Sequence, residues 1–237
     1  ESGYPFDGKV RLIVTPEKKE HFSISMRIPT WATKDEFVPG GLYPYKEQRH
    51  LSVEIRVNGE KVKYVMKKGF AVIERDWVSG DTVELELPMP VRFVDCIPEV
   101  KDNVGKTAVT RGPLVYCAEE IDNGGPVQQL FLGDATEEKA QVTIEETGEL
   151  KGLDFIKVGG ISLVPYYAWC NRGDNRTMLV WLNKDVSTVG GQQGEMKYMD
   201  LIGKISASSV ASGNAISEQA VCDGKVATSS ADFSLER

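Results

Sequence analysis

The chain has 237 residues, 41% hydrophobic and 27% charged, the proportions of a folded globular protein rather than a disordered one. Its net charge is −7 with no Lys/Arg block, which argues against the clustered positive footprint that nucleic-acid binding needs. No apolar run approaches the roughly 20 residues that span a bilayer, so neither nucleic acid nor membrane is an expected partner.

The opening Glu1-Ser2-Gly3-Tyr4-Pro5, without Met, reads as a cut end. Alternation of apolar and polar residues begins at Lys9–Val14 and returns in Phe22–Ile28, Leu51–Val57 and Thr82–Leu87. Successive strand side chains point to opposite faces, so this pattern half-buries a sheet and leaves Glu84 and Glu86 in water. Asn58-Gly59 is a hairpin signal and Ser79-Gly80-Asp81 a second turn. Between the second and third runs, Val38-Pro39-Gly40-Gly41-Leu42-Tyr43-Pro44-Tyr45 is a Gly/Pro-rich loop. Two prolines at Pro88-Met89-Pro90 close the first strand series. A second series follows: Ala108–Thr110, Leu114–Ala118, Gln141–Ile144, Phe155–Val158, Ile161–Val164 and Met178–Leu182. No window of eleven or more residues carries helical periodicity. The expectation is an all-β fold of two tandem β-sandwich domains, residues 1–88 and 89–184, each long enough to bury a core. Residues 185–237, rich in Gly, Ser, Ala and Gln, read as a linker followed by the start of an accessory module or a disordered tail.

Little in this pattern points to chemistry. Cys96, Cys117, Cys170 and Cys222 stand singly, with no CxxC pair, so no zinc site of the usual Cys/His spacing is expected. Cys117 and Cys170 read as buried free thiols. A Ser or Cys nucleophile needs a nearby base, and the two histidines, His21 and His50, sit beside charged residues as solvated side chains do. Gly159-Gly160 and Gly190-Gly191 lack the surroundings of a phosphate loop. Glycoside cleavage commonly uses two carboxylates, which draws attention to Glu119-Glu120 and Glu145-Glu146. Neighbours on a strand face opposite ways, so neither doublet presents a pair, and both are expected at solvated strand edges. No catalytic residue is assigned. Sugar rings stack on exposed aromatic faces, which makes Tyr43, Tyr45 and Trp31 the carbohydrate-binding candidates, provided that they share an exposed surface. Packing of the Tyr43/Tyr45 loop against a neighbouring domain is the competing reading. Trp77, Trp169 and Trp181 are expected in the core.

Several segments, taken in order, carry a resemblance. They are Arg27-Ile28-Pro29-Thr30-Trp31-Ala32; Val57-Asn58-Gly59-Glu60 followed by Gly69-Phe70-Ala71-Val72-Ile73-Glu74-Arg75-Asp76-Trp77; Gly80-Asp81-Thr82-Val83-Glu84-Leu85-Glu86-Leu87-Pro88-Met89; Arg111-Gly112-Pro113-Leu114-Val115-Tyr116-Cys117; and Val164-Pro165-Tyr166-Tyr167-Ala168-Trp169-Cys170-Asn171-Arg172-Gly173. Over residues 4–183 the chain resembles the region after the catalytic domain of glycoside hydrolase family 127, the β-L-arabinofuranosidase-like proteins. The resemblance implies an (α/α)6 barrel as the catalytic part and as this region's partner, with a zinc-held cysteine nucleophile and a glutamate on the barrel. None of those residues maps onto a position here, Cys96, Cys117, Cys170 and Cys222 included. For this chain it implies no cofactor of its own, a supporting role, a homodimer as a further partner, and a periplasmic or extracellular setting; a glycan partner rests on the aromatic candidates instead. The insertion Thr33–His50 departs from the shortest family members and leaves the substrate open.

Elementary physics gives the shared motifs structural work. Pro113 lacks an amide donor and fits an edge or bulge. Trp77, just before a turn, would seal one end of a core. Arg111 and Arg172 have forked donors suited to holding carboxylates or carbonyls at a domain junction. Two rival functions stand beside the supporting role: an independent carbohydrate-binding module, and an interaction domain with a large apolar patch.

Overall fold

The computed structural model describes residues 1–33, 36–173 and 177–188, and nearly all of the regular structure within them is strand. In the first half these are β1 (Lys9–Val14), β2 (Glu20–Arg27), β3 (Glu54–Val57), β4 (Glu60–Lys61), β5 (Val65–Lys67), β6 (Phe70–Trp77) and β7 (Asp81–Glu86). They form a four-stranded sheet, β1-β7-β3-β4, and a three-stranded sheet, β2-β6-β5. The alternation fixes which face is dry. Val83 and Leu85 of β7 lie opposite Val57 and Ile55 of β3, and all four are buried. Across the other sheet Ile24 pairs with Ile73 and Met26 with Ala71. The inner faces of both sheets meet in one core with Trp31 and Trp77.

The turn chemistry is as the sequence indicates. Asn58 (φ 53°) and Gly59 (φ 82°) form the tight turn joining β3 to β4. The Asn58 side chain also donates to Asp81 Oδ1 at 2.9 Å and accepts from the Thr82 amide at 2.9 Å. Asp81 Oδ2 accepts the Val78 amide at 2.9 Å, so one carboxylate closes the β6–β7 turn and ties it to the neighbouring hairpin. Trp77 is fully buried and donates its indole N–H to the Phe22 carbonyl at 2.9 Å, sealing the core end as expected.

The second half holds β8 (Val91–Val94), β9 (Lys106–Arg111), β10 (Leu114–Glu119), a one-turn helix α1 (Glu120–Asn123), β11 (Gln141–Ile144), β12 (Asp154–Val158), β13 (Ile161–Pro165), β14 (Met178–Leu179) and β15 (Leu182–Asn183). Its sheet runs β11-β12-β13-β10-β9-β15, with β8 along β9 and β14 along β10. The expected single strand Met178–Leu182 is two short pieces, because its ends pair with different strands: β14 with the end of β10, β15 with the start of β9. Gly112-Pro113 is a two-residue hairpin turn between paired Arg111 and Leu114, not an interruption within a strand. Gly112 takes φ +56°, and a Cβ there would meet the Met89 side chain at 2.5 Å. A second core, with Phe93, Tyr116, Ile156 and Leu163, fills this half. Both halves belong to one compact unit, Glu1–Gly190. Residues 189–237, where most of the linker and accessory module is expected, lie outside the described residues, as does Cys222.

Candidate functional site

The residues with chemical potential gather along the junction of the two halves, and the first seam is made by the insertion. Strand β8 is buried at all four positions because both of its faces are covered. Val91 and Phe93 face the second core, while Val94 packs with Tyr45 and Ala108 in a separate cluster. The tyrosine loop is not free: Lys46 N donates to Phe93 O at 2.8 Å, Asp95 N to Pro44 O at 2.9 Å, and Ile97 N to Leu42 O at 3.1 Å. It adds itself to the second half as a strand-like strip.

That strip covers charge. Arg92 is 2% exposed and lies under the Tyr45 ring, 3.9 Å from its centroid. Its guanidinium donates to the Glu47 carbonyl and faces buried Glu137, Nε to Oε2 at 3.3 Å. Arg49 reaches the same Glu137 oxygen at 3.0 Å, and Glu137 Oε1 accepts the Phe93 amide at 2.7 Å. Burial pushes the Glu137 carboxyl up, opposed by the Phe93 amide and the two guanidiniums. Burial likewise lifts the Tyr45 hydroxyl to about 12. A carboxylate between two guanidiniums under an aromatic lid is a closed structural cluster, with no room for a substrate.

The three aromatic candidates therefore do not share an exposed surface. Tyr45 is 5% exposed and serves as the lid over Arg92; Trp31 is 7% exposed, in the core of the first half; Tyr43 is half-buried with its ring 5.8 Å from that of Trp181. The observed role of the loop is packing against the neighbouring half. Trp169, expected in the core, is exposed and stacks on Tyr166 with the ring planes 8° apart. Trp181 is only half-buried, against Tyr43.

Glu119 also departs from expectation. It ends a strand but is 7% exposed rather than solvated, because Arg172 pairs with it and with Asp122, and the Cys170 amide donates to Glu119 Oε1 at 3.0 Å. The hydrogen bonds to Asp122 and Glu119 hold the Arg172 guanidinium well above its ordinary range, so it stays charged. Arg172 thus holds carboxylates as anticipated, but within the second half alone. Glu120 instead accepts the Thr177 hydroxyl at 2.9 Å. Cys96 and Cys117 are free thiols, and burial pushes Cys117 up to about 12, which keeps it protonated and unreactive, while Cys170, expected to be buried, is only half-buried. His21 is exposed beside Asp76, and His50 is exposed.

The second seam is built on Arg111, which holds a carbonyl and a carboxylate as anticipated. Arg111 Nη1 donates to the Phe6 carbonyl at 3.1 Å and to Asp154 Oδ2 at 2.7 Å, riveting the chain start to β12. Beside this rivet is a cleft of about 370 Å3 whose lining includes Phe6, Asp7, Tyr116, Asp154, Pro165 and Tyr167. A larger groove, about 500 Å3, crosses the outer face of the four-stranded sheet over Arg11, Glu54, Arg56 and Glu84. There the charges pair with each other, Arg56 with Glu54 and Arg11 with Glu84 at 4.0 Å, as on an ordinary solvated sheet face.

The two halves match known family domains in register with this architecture. Residues 1–89 match the profile described as "Beta-L-arabinofuranosidase, GH127 middle domain", and residues 91–183 that of the "Glycoside hydrolase family 127 C-terminal domain". The chain belongs to glycoside hydrolase family 127. A solved GH127 β-arabinofuranosidase is 34% identical, superposes with a TM-score of 0.71, and shares 80% of this chain but 32% of its own. For a GH127 β-L-arabinofuranosidase from Geobacillus stearothermophilus T6 the identity is 37% and the TM-score 0.64, over 78% of this chain and 30% of that one. The non-reducing end β-L-arabinofuranosidase of Bifidobacterium longum subsp. longum is 29% identical over 72% of this chain and 28% of its own length. The family 127 chain described here thus spans about a third of the length of these relatives.

Proposed function

We propose that residues 1–183 are a non-catalytic scaffold of a β-L-arabinofuranosidase-like glycoside hydrolase, supporting a catalytic domain of the kind its relatives carry. The observation that carries this reading is that the two matched profiles are the middle and C-terminal domains of the family and leave only Pro90 between them. The burial pattern supports it. The two glutamates withdrawn from solvent, Glu119 and Glu137, are locked by Arg172 and by Arg92 with Arg49, so neither is available to a substrate. The stacked and exposed Tyr166–Trp169 pair offers an apolar face suited to contact with a further domain. Arabinofuranosides are the proposed substrate class of the whole protein, an inference from what the relatives are called. Self-association as a homodimer and a periplasmic or extracellular setting belong to the same proposal.

The test uses the Bifidobacterium longum relative, intact and cut before the stretch that this chain matches. The cut protein is expected to melt several degrees lower and to lose turnover in proportion to its unfolded fraction. A cut protein with unchanged melting and turnover would show that these domains support nothing.

A further inference from the structure

The cleft beside the Arg111 rivet combines an open apolar wall with a buried polar group that has no partner. Tyr116 forms part of its floor and is fully buried, yet its hydroxyl makes no hydrogen bond. The surrounding polar groups are Arg111, Asp154 and Tyr167; the guanidinium lies beside the hydroxyl without completing a bond, being committed to Phe6 O and Asp154 Oδ2. A buried donor without a partner is unusual enough to need a reason, since leaving it unmet is destabilising. The walls supply the complementary half of a site. Phe6 and Tyr167 are each about half exposed and meet edge-to-face with ring centroids 6.0 Å apart, and Pro165 adds apolar surface.

We propose that this cleft binds a neutral saccharide ring, with its apolar face on Tyr167 and Phe6 and its hydroxyls on Asp7, Asp154 and Tyr116. The chemistry selects that class. No lysine, arginine or histidine is among the lining residues and the neighbouring Arg111 is already paired with Asp154, so an anion would find carboxylates and no unpaired cation. Asp154 is already neutralised by Arg111, which removes the attraction for a cation, while Asp154 Oδ1 remains available as an acceptor. An aromatic wall with flanking phenols and carboxylates is what an amphipathic polyol requires. The volume, about 370 Å3, falls at the small end of the usual range for small-molecule sites, roughly 300–1,000 Å3, and suits one or two sugar rings. Burial keeps the Tyr116 phenol protonated, up to about 12, and raises that of Tyr167, so both remain donors at neutral pH. This site is separate from the catalytic reading: it needs no turnover, and its residues differ from Tyr43, Tyr45 and Trp31.

The experiment is a titration of the 237-residue chain, followed by amide NMR shifts, with methyl β-L-arabinofuranoside, D-xylose, D-galactose and cellobiose, and with D-glucuronate as the anionic control. At least one neutral sugar should saturate with shifts centred on Tyr116, Asp154 and Tyr167, while glucuronate should not. Tyr167→Ala, at an exposed position that should leave folding intact, should weaken binding by about fivefold or more. Tyr116→Phe should weaken it by roughly fivefold, the loss expected for one hydrogen bond. Tyr43→Ala, on the other seam, should leave it unchanged. Absence of saturation by every neutral sugar overturns the proposal, as does saturable binding that Tyr167→Ala and Tyr116→Phe leave untouched. Loss of β-L-arabinofuranosidase activity elsewhere in the protein would bear on the scaffold reading and not on this one.

Discussion

Along one seam of the molecule Tyr45, Arg92, Arg49 and Glu137 close on one another; along the other, Tyr116, Arg111 and Asp154 leave a cleft of about 370 Å3. The ingredients are the same: a tyrosine, arginine and a carboxylate. In the closed seam the Glu137 side chain is wholly buried, so its charge is met from within the protein, by Arg92, Arg49 and the Phe93 amide. In the open seam the Arg111–Asp154 pair is still partly solvated, which relaxes that demand and leaves one hydroxyl idle. Burial decides whether such a set of residues is a structural clamp or a surface able to receive a ligand.

The largest expected effect tests the closed seam. Glu137→Gln leaves the Arg92 charge buried with only Glu47 O and the Tyr45 ring for company, and should cost about 3–5 kcal/mol in urea unfolding. The corresponding change in the open seam, Asp154→Asn, should cost only about 1 kcal/mol, because water reaches that pair. Equal losses would erase the distinction. Next, Tyr45→Ala removes the lid and should cost about 3 kcal/mol, a value typical of aromatic truncation in a core, while Tyr43→Ala should cost about 1 kcal/mol.

Two smaller effects depend on pH and lie in the first half. The Val78 amide, with Asn58, holds Asp81 below its ordinary range. A depressed carboxyl stabilises the fold above the unfolded value, near 3.9, and loses that contribution as pH falls through the folded one. The stability gap between the native chain and Asp81→Asn should therefore be full above about pH 5 and narrow toward about pH 2. A gap independent of pH would mean that packing rather than charge is responsible. His21 is raised by its hydrogen bond to Asp76. Its small contribution is present below about pH 6.5 and disappears as pH rises through the folded value, so an NMR titration should place His21 above the free imidazole and Asp76→Asn should lower it.

What the sequence disclosed follows from solvation. Strands with one wet face, such as Lys9–Val14 and Thr82–Leu87, write an alternating pattern that can be read directly, and Asn58-Gly59 names its own turn. β8 does not alternate, because both faces are covered, and Arg92 in its middle looks like a surface residue until the insertion is folded over it. Glu119 misleads similarly: a glutamate doublet at a strand end suggests solvent, and only Arg172, 53 residues on, withdraws it. The insertion tyrosines stand out for their chemistry, but which rings are buried depends on pairing with Phe93–Ile97. The local sign of that burial is a lone arginine in the apolar run Pro90-Val91-Arg92-Phe93-Val94. Asp154 and the Tyr116 hydroxyl carry no signal of a cleft, which exists only once Phe6 meets Arg111 and Tyr167.

On the proposed reading the chain supports chemistry without performing it. The most direct measurement is turnover of a chromogenic β-L-arabinofuranoside by the purified 237-residue chain, with zinc and thiol present, beside the Bifidobacterium longum relative as positive control. Release is expected from the relative and none above background from the chain. Enzyme-dependent release by the chain, proportional to its concentration and abolished by unfolding it, would contradict the account and return Glu119, Glu145 and the cysteines to consideration as catalytic groups.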